Sequence, residues 1–257
     1  MSAIIVRPLP FSAASTSPAP LAGSVANLNV DHPAFVWRFG LTAPYLIVDL
    51  GAGALAYDWV ALAGCNLRAG DAVQIRTGTT DIGTGGYTGS LRSAYAGAKG
   101  DLSTTDAIFK LGSTRTERYI RLDIVANGHP DGFVQVQRLI VGAGIVASGV
   151  SYDAEMSFVD QSIITAGSGY TAIDEFDVLT AWKLRVPFIG EASWRSEWYP
   201  LLQYAGNKRC VLFIPDDSTP ENWQTDAIFG RFNTSATGKA EGFNAWAWEG
   251  SIIELAP

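Results

Sequence analysis

The 257-residue sequence predicts a mainly β protein, in which an antiparallel β-sandwich is followed by a smaller β-rich domain with one short helix. Between residues 25 and 142, short runs of β-branched and aromatic residues alternate with clusters of turn residues. No amphipathic helix separates these runs. The strands should therefore follow one another directly, as they do in an antiparallel sandwich.

The sandwich is predicted for residues 25–142, with strands in AFVWRFG, PYLIVDLG, DWVALAGCNL, AVQIRTG, RYIRLDIVA and FVQVQRLIVG. Residues 1–24 include LPFSAASTSPAPLAGS, which is rich in Ser, Ala and Pro and has no strand or helix periodicity. We therefore expect an extended N-terminal arm, suited to reach a neighbouring subunit. Residues 143–152 are rich in glycine and are predicted to link the two domains.

The second domain is predicted for residues 153–257, with strands in AWKLRVPFI, RCVLFIP, AIFGRF and FNAWAWEGSIIEL. Apolar residues recur at helical spacing in one stretch, at Trp194, Trp198, Leu201, Leu202 and Ala205. Gly206 is suited to cap the C-terminus of this helix. Pro200 lacks a backbone donor, so it should either kink the helix or delay its start to near Ser196.

Composition excludes several classes of protein. The net charge of −7 and the scattered Lys and Arg residues predict no nucleic-acid binding. The longest apolar tract, YLIVDLGAGALAYDWVALAG, contains Asp49 and Asp58, which predicts no membrane insertion. Residues 1–24 lack the pattern of a secretory signal, so we expect folding in a cytoplasm. Cys65 and Cys210 lie far apart in apolar settings, which favours buried thiols over a disulfide or a metal pair.

Motifs for cofactors and metals are weak. VDLGAGALAYD begins like a nucleotide or S-adenosylmethionine site, but strand-forming YDWVALAG follows where a helix is needed, so a tight turn and no cofactor are predicted. The acidic cluster Asp174, Glu175 and Asp177 lacks the spacing of a calcium loop. A solvated edge and no metal are predicted there. The carboxylates of PDDSTPEN follow a proline directly, and this composition is typical of a turn.

Catalytic groups are also scarce. His32 and His129 are the only histidines, and each precedes a proline in a polar turn, where an exposed side chain is expected. No GxSxG motif accompanies them. A glycoside hydrolase needs two carboxyl groups across a cleft, and no such pair can be placed. We therefore predict no catalytic residues and no enzymatic activity.

The first half of the chain resembles the galactose-binding-like, or discoidin-type, β-sandwich. The residues that carry the resemblance are YLIVDLG, DWVALAGCNL, AVQIRTG and RYIRLDIVANG, within residues 25–142. The second half resembles a domain of minor and distal tail proteins of long-tailed bacteriophages. That resemblance spans residues 178–255 and rests on the order of WKLRVPF, LLQYAG, CVLFIPD, AIFGRF and FNAWAWEGSIIEL.

These resemblances imply a structural component of a siphophage tail, at or near the tail tip, acting in tail assembly and in host attachment. Such a protein would be found in the virion after assembly in the host cytoplasm, with other tail proteins and copies of itself in a ring as partners. The alternative is a carbohydrate-binding module for host-surface glycans. In that hypothesis, loop residues contact the sugar through ring stacking and polar groups, and we select Asp31, Tyr87, Tyr95 and His129 as candidates.

Overall fold

The structure is a computed structural model, and it describes residues 2–53, 55–80, 85–94, 105–148, 150, 154–233 and 237–255. The described strands are β1 (Ala3–Val6), β2 (Ser12–Ser17), β3 (Ala22–Gly23), β4 (Trp37–Gly40), β5 (Tyr45–Asp49), β6 (Tyr57–Cys65), β7 (Ala72–Gly78), β8 (Gly85–Ser93), β9 (Thr105–Arg115), β10 (Tyr119–Val125), β11 (Phe133–Val136), β12 (Arg138–Gly142), β13 (Gly144–Ala147), β14 (Glu155–Asp160), β15 (Ile163–Gly167), β16 (Tyr170–Asp174), β17 (Val178–Gly190), β18 (Cys210–Ile214), β19 (Ile228–Phe232), β20 (Thr237–Gly242) and β21 (Ala245–Glu254). The helical segments are α1 (Glu191–Ser193), a π-helical turn (Trp194–Trp198), α2 (Tyr199–Ala205), α3 (Trp223–Asp226) and two 3₁₀ turns (Val25–Asn29 and Pro220–Asn222). The mainly β prediction is confirmed.

An antiparallel sandwich forms the first part of the molecule. One sheet has the order β2-β5-β10-β7-β8, and it faces two three-stranded sheets, β12-β6-β9 and β11-β4-β3. Every other residue of these strands points inward, because side chains alternate along a strand. The inward residues form one apolar core that includes Trp37, Val60 and Leu122.

The β12-β6-β9 sheet is buried on both faces. In β6, Val60 and Leu62 belong to the sandwich core, whereas Trp59 and Ala61 point the opposite way into a second core. The partners of Trp59 there come from β1, β18 and β19, and they include Ile4, Leu212 and Phe229. The sandwich and the second sheet therefore share an apolar interface.

The second sheet has the order β13-β1-β18-β19-β21-β17-β14, with β20 paired to β21. Its other face carries a third core, in which Phe213 and Trp248 pack with the helical residues Trp194, Trp198 and Leu201. The layers are thus sheet, sheet, sheet and helix. Apolar cores fill all three spaces between them.

The N-terminus differs from the extended arm expected for residues 1–24. β1 lies between β13 and β18 in the second sheet, and Ile4 pairs with Val146 on one side and Ile214 on the other. All four residues of β1 are buried. β2 also forms a strand, which pairs with β5 at the edge of the sandwich.

The expected linker at residues 143–152 contains β13, an edge strand of the second sheet. Gly144 is needed in this strand, because a Cβ atom there would lie 2.5 Å from Nε1 of Trp59. Gly149 and residues 151–153 lie outside the described part of the chain. Residues 1–24, predicted as an arm, and residues 143–152, predicted as a linker, therefore each contribute a strand to the second sheet.

The predicted helix is present, and it begins earlier than Ser196. Helical structure runs from Glu191 to Ala205, and Gly206 caps it with a φ of 47°. A π-helical turn precedes Pro200, and the amide of Tyr199 donates to the carbonyl of Trp194. The wider turn accommodates the proline without breaking the helix. A second short helix, α3, lies in the loop that was predicted to be a simple turn.

The position of β1 can be tested by truncating one of its side chains. Ile5 is fully buried against the helix side of the second sheet. We expect Ile5→Ala to lower the free energy of unfolding by about 2–5 kcal/mol, through lost burial and a residual cavity. Urea denaturation followed by tryptophan fluorescence measures this change. Val146→Ala is the control, because the Val146 side chain on the adjacent β13 is half exposed. Equal stability of Ile5→Ala and the wild type would contradict the placement of β1.

Candidate functional site

The four residues selected from the sequence lie in different settings. Asp31 follows the first 3₁₀ turn, Tyr87 lies on β8, and His129 lies in the loop between β10 and β11. Tyr95 lies outside the described residues. No hydrogen bond or ring contact among the described residues joins Asp31, Tyr87 and His129.

His129 is buried, so the expectation of an exposed loop histidine is wrong for this residue. Its Nδ1 accepts a hydrogen bond from the amide of Asp131 at 3.3 Å. Its Nε2 lies 2.7 Å from the carbonyl oxygen of Asn66, which can only accept, so Nε2 carries the proton in the neutral ring. The imidazole thus attaches the loop between β10 and β11 to Asn66, the residue that follows β6. Both ring nitrogens are used by the protein.

Tyr87 is partly buried against the sandwich core. The guanidinium of Arg115 lies 4.4 Å from the centre of its ring, and Arg92 donates to its hydroxyl at 3.4 Å. Arg115 thus covers the ring as a cation–π partner. A sugar ring would have to displace that guanidinium to stack on this face.

Both aspartates of the loop after β18 are engaged by other residues of the chain. Asp216 accepts hydrogen bonds from the amide and hydroxyl of Ser218 and from the hydroxyl of Thr219. Asp217 forms an ion pair with Lys110 of β9 at 2.8 Å. Within the residues that the structure describes, no group of three or more His, Cys, Asp or Glu side chains could hold a metal ion. As predicted, the Asp216–Asp217 pair lies in a turn region, and this region leads into the 3₁₀ turn Pro220–Asn222 and then into α3.

Asp31 lines a cavity of about 530 Å³ at the junction between the sandwich and the second sheet. We call it the junction cavity. Its polar lining comes from the end of β1, the first 3₁₀ turn, β12, α2 and the residue before β18, and it consists of Arg7, Asn29, Asp31, Arg138, Tyr204 and Arg209. The cavity therefore exists only where both parts of the molecule meet.

One ion pair anchors the cavity wall. Arg138 is buried, and its Nε donates to Oδ1 of Asp31 at 2.8 Å. The same guanidinium donates to the carbonyl oxygens of Leu28 and Leu139. The second carboxylate oxygen of Asp31 accepts from the amide of Cys210 at 3.0 Å, which ties the sandwich to β18. The charges of Asp31 and Arg138 neutralise each other.

Two further guanidinium groups in the junction cavity lack an acidic partner. Arg7 lies 4.1 Å and Arg209 lies 4.5 Å from the centre of the Tyr204 ring. No carboxylate of the described residues forms an ion pair with either one, and the buried Nε of Arg7 has no hydrogen-bond acceptor there. The polar lining thus carries an excess of positive charge, although the whole chain has a net charge of −7.

The thiol of Cys210 is unsuited to nucleophilic chemistry. Both Cys65 and Cys210 are free and buried, as predicted. Burial, followed by the nearby negative charge of Asp31, raises the pKa of Cys210 to about 12. The Cys210 thiol is therefore protonated at neutral pH, whereas the thiolate is the nucleophilic form.

A second feature is an exposed hairpin built from β14 to β17. β14 pairs with β17, and β15 pairs with β16 in a separate two-stranded sheet at the tip. We call residues 155–178 the acidic hairpin, because they contain five acidic and no basic residues. Large apolar side chains are exposed along it, at Phe158, Val159, Ile163, Ile164, Ile173, Phe176 and Val178.

Neither the junction cavity nor the acidic hairpin was identified from the sequence as a site. A signal for the hairpin was present, because no Lys, Arg or His occurs from Leu139 to Trp182. The predicted solvated edge at Asp174, Glu175 and Asp177 lies in this hairpin. Apart from Asp31, no cavity residue had been selected. No helix among the described residues is long and apolar enough to cross a membrane.

Neither a protein-family model nor a curated protein matches the chain. Several solved structures of sugar-binding modules are similar to it. A family 32 carbohydrate-binding module from C. perfringens NanJ, in complex with galactose, has 13% identity and a TM-score of 0.39, and the match covers 54% of this chain and 98% of the module. The family 32 module of AlyQ, in complex with 4,5-unsaturated mannuronic acid, has 15% identity and a TM-score of 0.34, with 53% and 96% covered. Chitosan-binding module 1 of a Paenibacillus sp. IK-5 chitosanase/glucanase has 20% identity and a TM-score of 0.37, with 52% and 95% covered.

The contacts of Asp216 give a testable pH dependence. Hydrogen bonds from Ser218 and Thr219 lower its pKa from 3.8 to about 2. A lowered pKa in the folded protein means that this contribution to stability is present above pH 3.8 and is lost as the pH falls toward 2. We expect an NMR titration of the Asp216 side-chain carbon to have its midpoint near 2. Ser218→Ala should move the midpoint toward 3.8, and an unchanged midpoint in that variant would contradict the assignment.

Proposed function

We propose that the chain is a non-enzymatic structural subunit of a long-tailed phage tail, at or near the tip. It would assemble with copies of itself and with other tail proteins. The observation that carries this proposal is the acidic hairpin. It is a long, apolar and exposed segment that no other described part of the chain covers.

The acidic hairpin has the properties of a surface that needs a partner. The two-stranded sheet of β15 and β16 stands alone, and such a hairpin is marginally stable in water without further packing. Phe158 and Ile164 are each 68% exposed. Clustered exposure of this kind is characteristic of interaction sites.

The edges of the second sheet support assembly in a ring. β14 is the last strand at one end of the described sheet, and β13 is the last strand at the other. Unpaired strand edges are templates for pairing with another chain. A contact between the β14 edge of one copy and the β13 edge of the next would be heterologous, as a closed ring requires.

The segments on which the resemblance to phage tail proteins rests lie together in the second sheet. The segments CVLFIPD, AIFGRF and FNAWAWEGSIIEL form β18, β19 and β21, which are successive neighbours in one sheet. WKLRVPF lies in β17, which is the next neighbour of β21. The segments that carry the resemblance thus belong to one structural unit.

Carbohydrate binding is the second candidate function. It is favoured by the position of Asp31, which lines an open cavity large enough for a small ligand. Tyr87 and His129 contribute less to this hypothesis, because their ring faces or nitrogens are already engaged. Galactose and 4,5-unsaturated mannuronic acid, which two of the similar modules bind, are the first sugars to test by calorimetry.

Assembly through the acidic hairpin can be tested with a double substitution. We expect the wild-type chain to self-associate in sedimentation velocity experiments over a concentration series. Phe158→Ser with Ile164→Ser should weaken this association at least about tenfold, which corresponds to about 1.4 kcal/mol. The melting temperature of the double variant should equal that of the wild type, because both side chains are largely exposed.

Phe243→Ser is the matched control, because Phe243 is 96% exposed between β20 and β21, outside the hairpin. It should associate like the wild type. A wild-type chain that stays monomeric throughout, or a double variant that associates equally well, would count against assembly through this hairpin.

A further inference from the structure

The junction cavity holds more positive charge than the protein neutralises. Three arginines line it, and Asp31, the only acidic residue among the described lining residues, is already bound by Arg138 and the amide of Cys210. Arg7 and Arg209 therefore have no acidic partner among the described residues. Their guanidinium groups lie 4.1 and 4.5 Å from the centre of the Tyr204 ring, and both residues line the same cavity.

The chain holds these two arginines in place. Arg7 follows directly after the fully buried β1, and its Nε is itself buried without an acceptor among the described residues. Arg209 follows α2, and its amide donates to the carbonyl of Ala205. The Tyr204 ring, on the last turn of α2, contacts both guanidiniums. Two like charges in one cavity repel each other, and an anion bound in that cavity would reduce the repulsion.

We propose that the junction cavity binds a small organic anion, whose carboxylate or phosphate group is held by Arg7 and Arg209. Guanidinium groups suit this role, because their planar donors match both anions with paired hydrogen bonds. The side-chain oxygens of Asn29 and Asp31 already accept from Arg138, but each has a second lone pair that can accept from a hydroxyl group of the same ligand. A cavity of about 530 Å³ fits a ligand the size of a modified sugar.

Three probes with the same ring test this proposal by calorimetry and thermal shift. They are glucose, which is neutral, glucuronate, which carries a carboxylate, and glucose 6-phosphate. We expect at least one anion to bind and raise the melting temperature, with affinity that falls as salt rises, and glucose to have no effect. Preference for glucuronate assigns a carboxylate ligand, and preference for glucose 6-phosphate assigns a phosphate ligand.

Substitutions locate the binding in the cavity. Arg7→Gln and Arg209→Gln should each lower the binding affinity for the preferred anion at least about tenfold, because each removes a charged hydrogen-bond donor. Arg195→Gln is the matched control, since Arg195 is largely exposed on the π-helical turn outside the cavity. Arg209 is exposed, so its variant keeps the test valid if Arg7→Gln fails to fold. The proposal is overturned if neither anion binds, if glucose binds equally well, or if Arg209→Gln binds like the wild type.

Discussion

The structure depends on the burial of the β12-β6-β9 sheet on both of its faces. Val60 and Leu62 of β6 contact the sandwich core, while Trp59 and Ala61 contact the core beneath the second sheet. Burial of apolar surface is the main favourable contribution to folding, so a strand that serves two cores couples them. Trp59 is central to this coupling, because its ring packs on Trp223 at 5.1 Å and fills the space beside Gly144. Removing either core would expose one face of the same sheet.

Both candidate sites follow from this layering. β1 enters the second sheet from the N-terminus, and the chain then turns toward the sandwich at Arg7 and Pro8. The junction cavity forms at that turn, where the Asp31–Arg138 pair faces α2. The acidic hairpin has the opposite character, because it extends from the edge of the second sheet and belongs to none of the three large cores. The junction cavity thus requires contact between the sandwich and the second sheet. The acidic hairpin takes no part in that contact and stays exposed.

Local patterns in the sequence predicted β4 to β7, β10, the run that forms β11 and β12, and the helix that ends before Gly206, because alternation and capping are properties of neighbouring residues. They did not predict β2, β3, β8 or β9 of the sandwich. They did not predict β1, since AIIV is only four residues long and its partners, β13 and β18, are distant in sequence. His129 was misjudged for a related reason. Its polar turn folds back onto the carbonyl of Asn66, a contact that depends on tertiary structure. Arg7 and Arg209 are about 200 residues apart in sequence and are brought together by their contacts with the Tyr204 ring. Sequence spacing therefore could not predict the cavity.

The central claim is that the sandwich and the second sheet fold as one unit around the doubly buried sheet. Native-state hydrogen exchange of the backbone amides of β1, β6, β12 and β18 tests it most directly, because it gives an opening free energy for each amide. We expect the most protected amides in all four strands to share one opening free energy, equal to that of global unfolding. Lower and separate opening free energies for β1 and β18, with β6 and β12 still protected, would show two independent domains and contradict the claim.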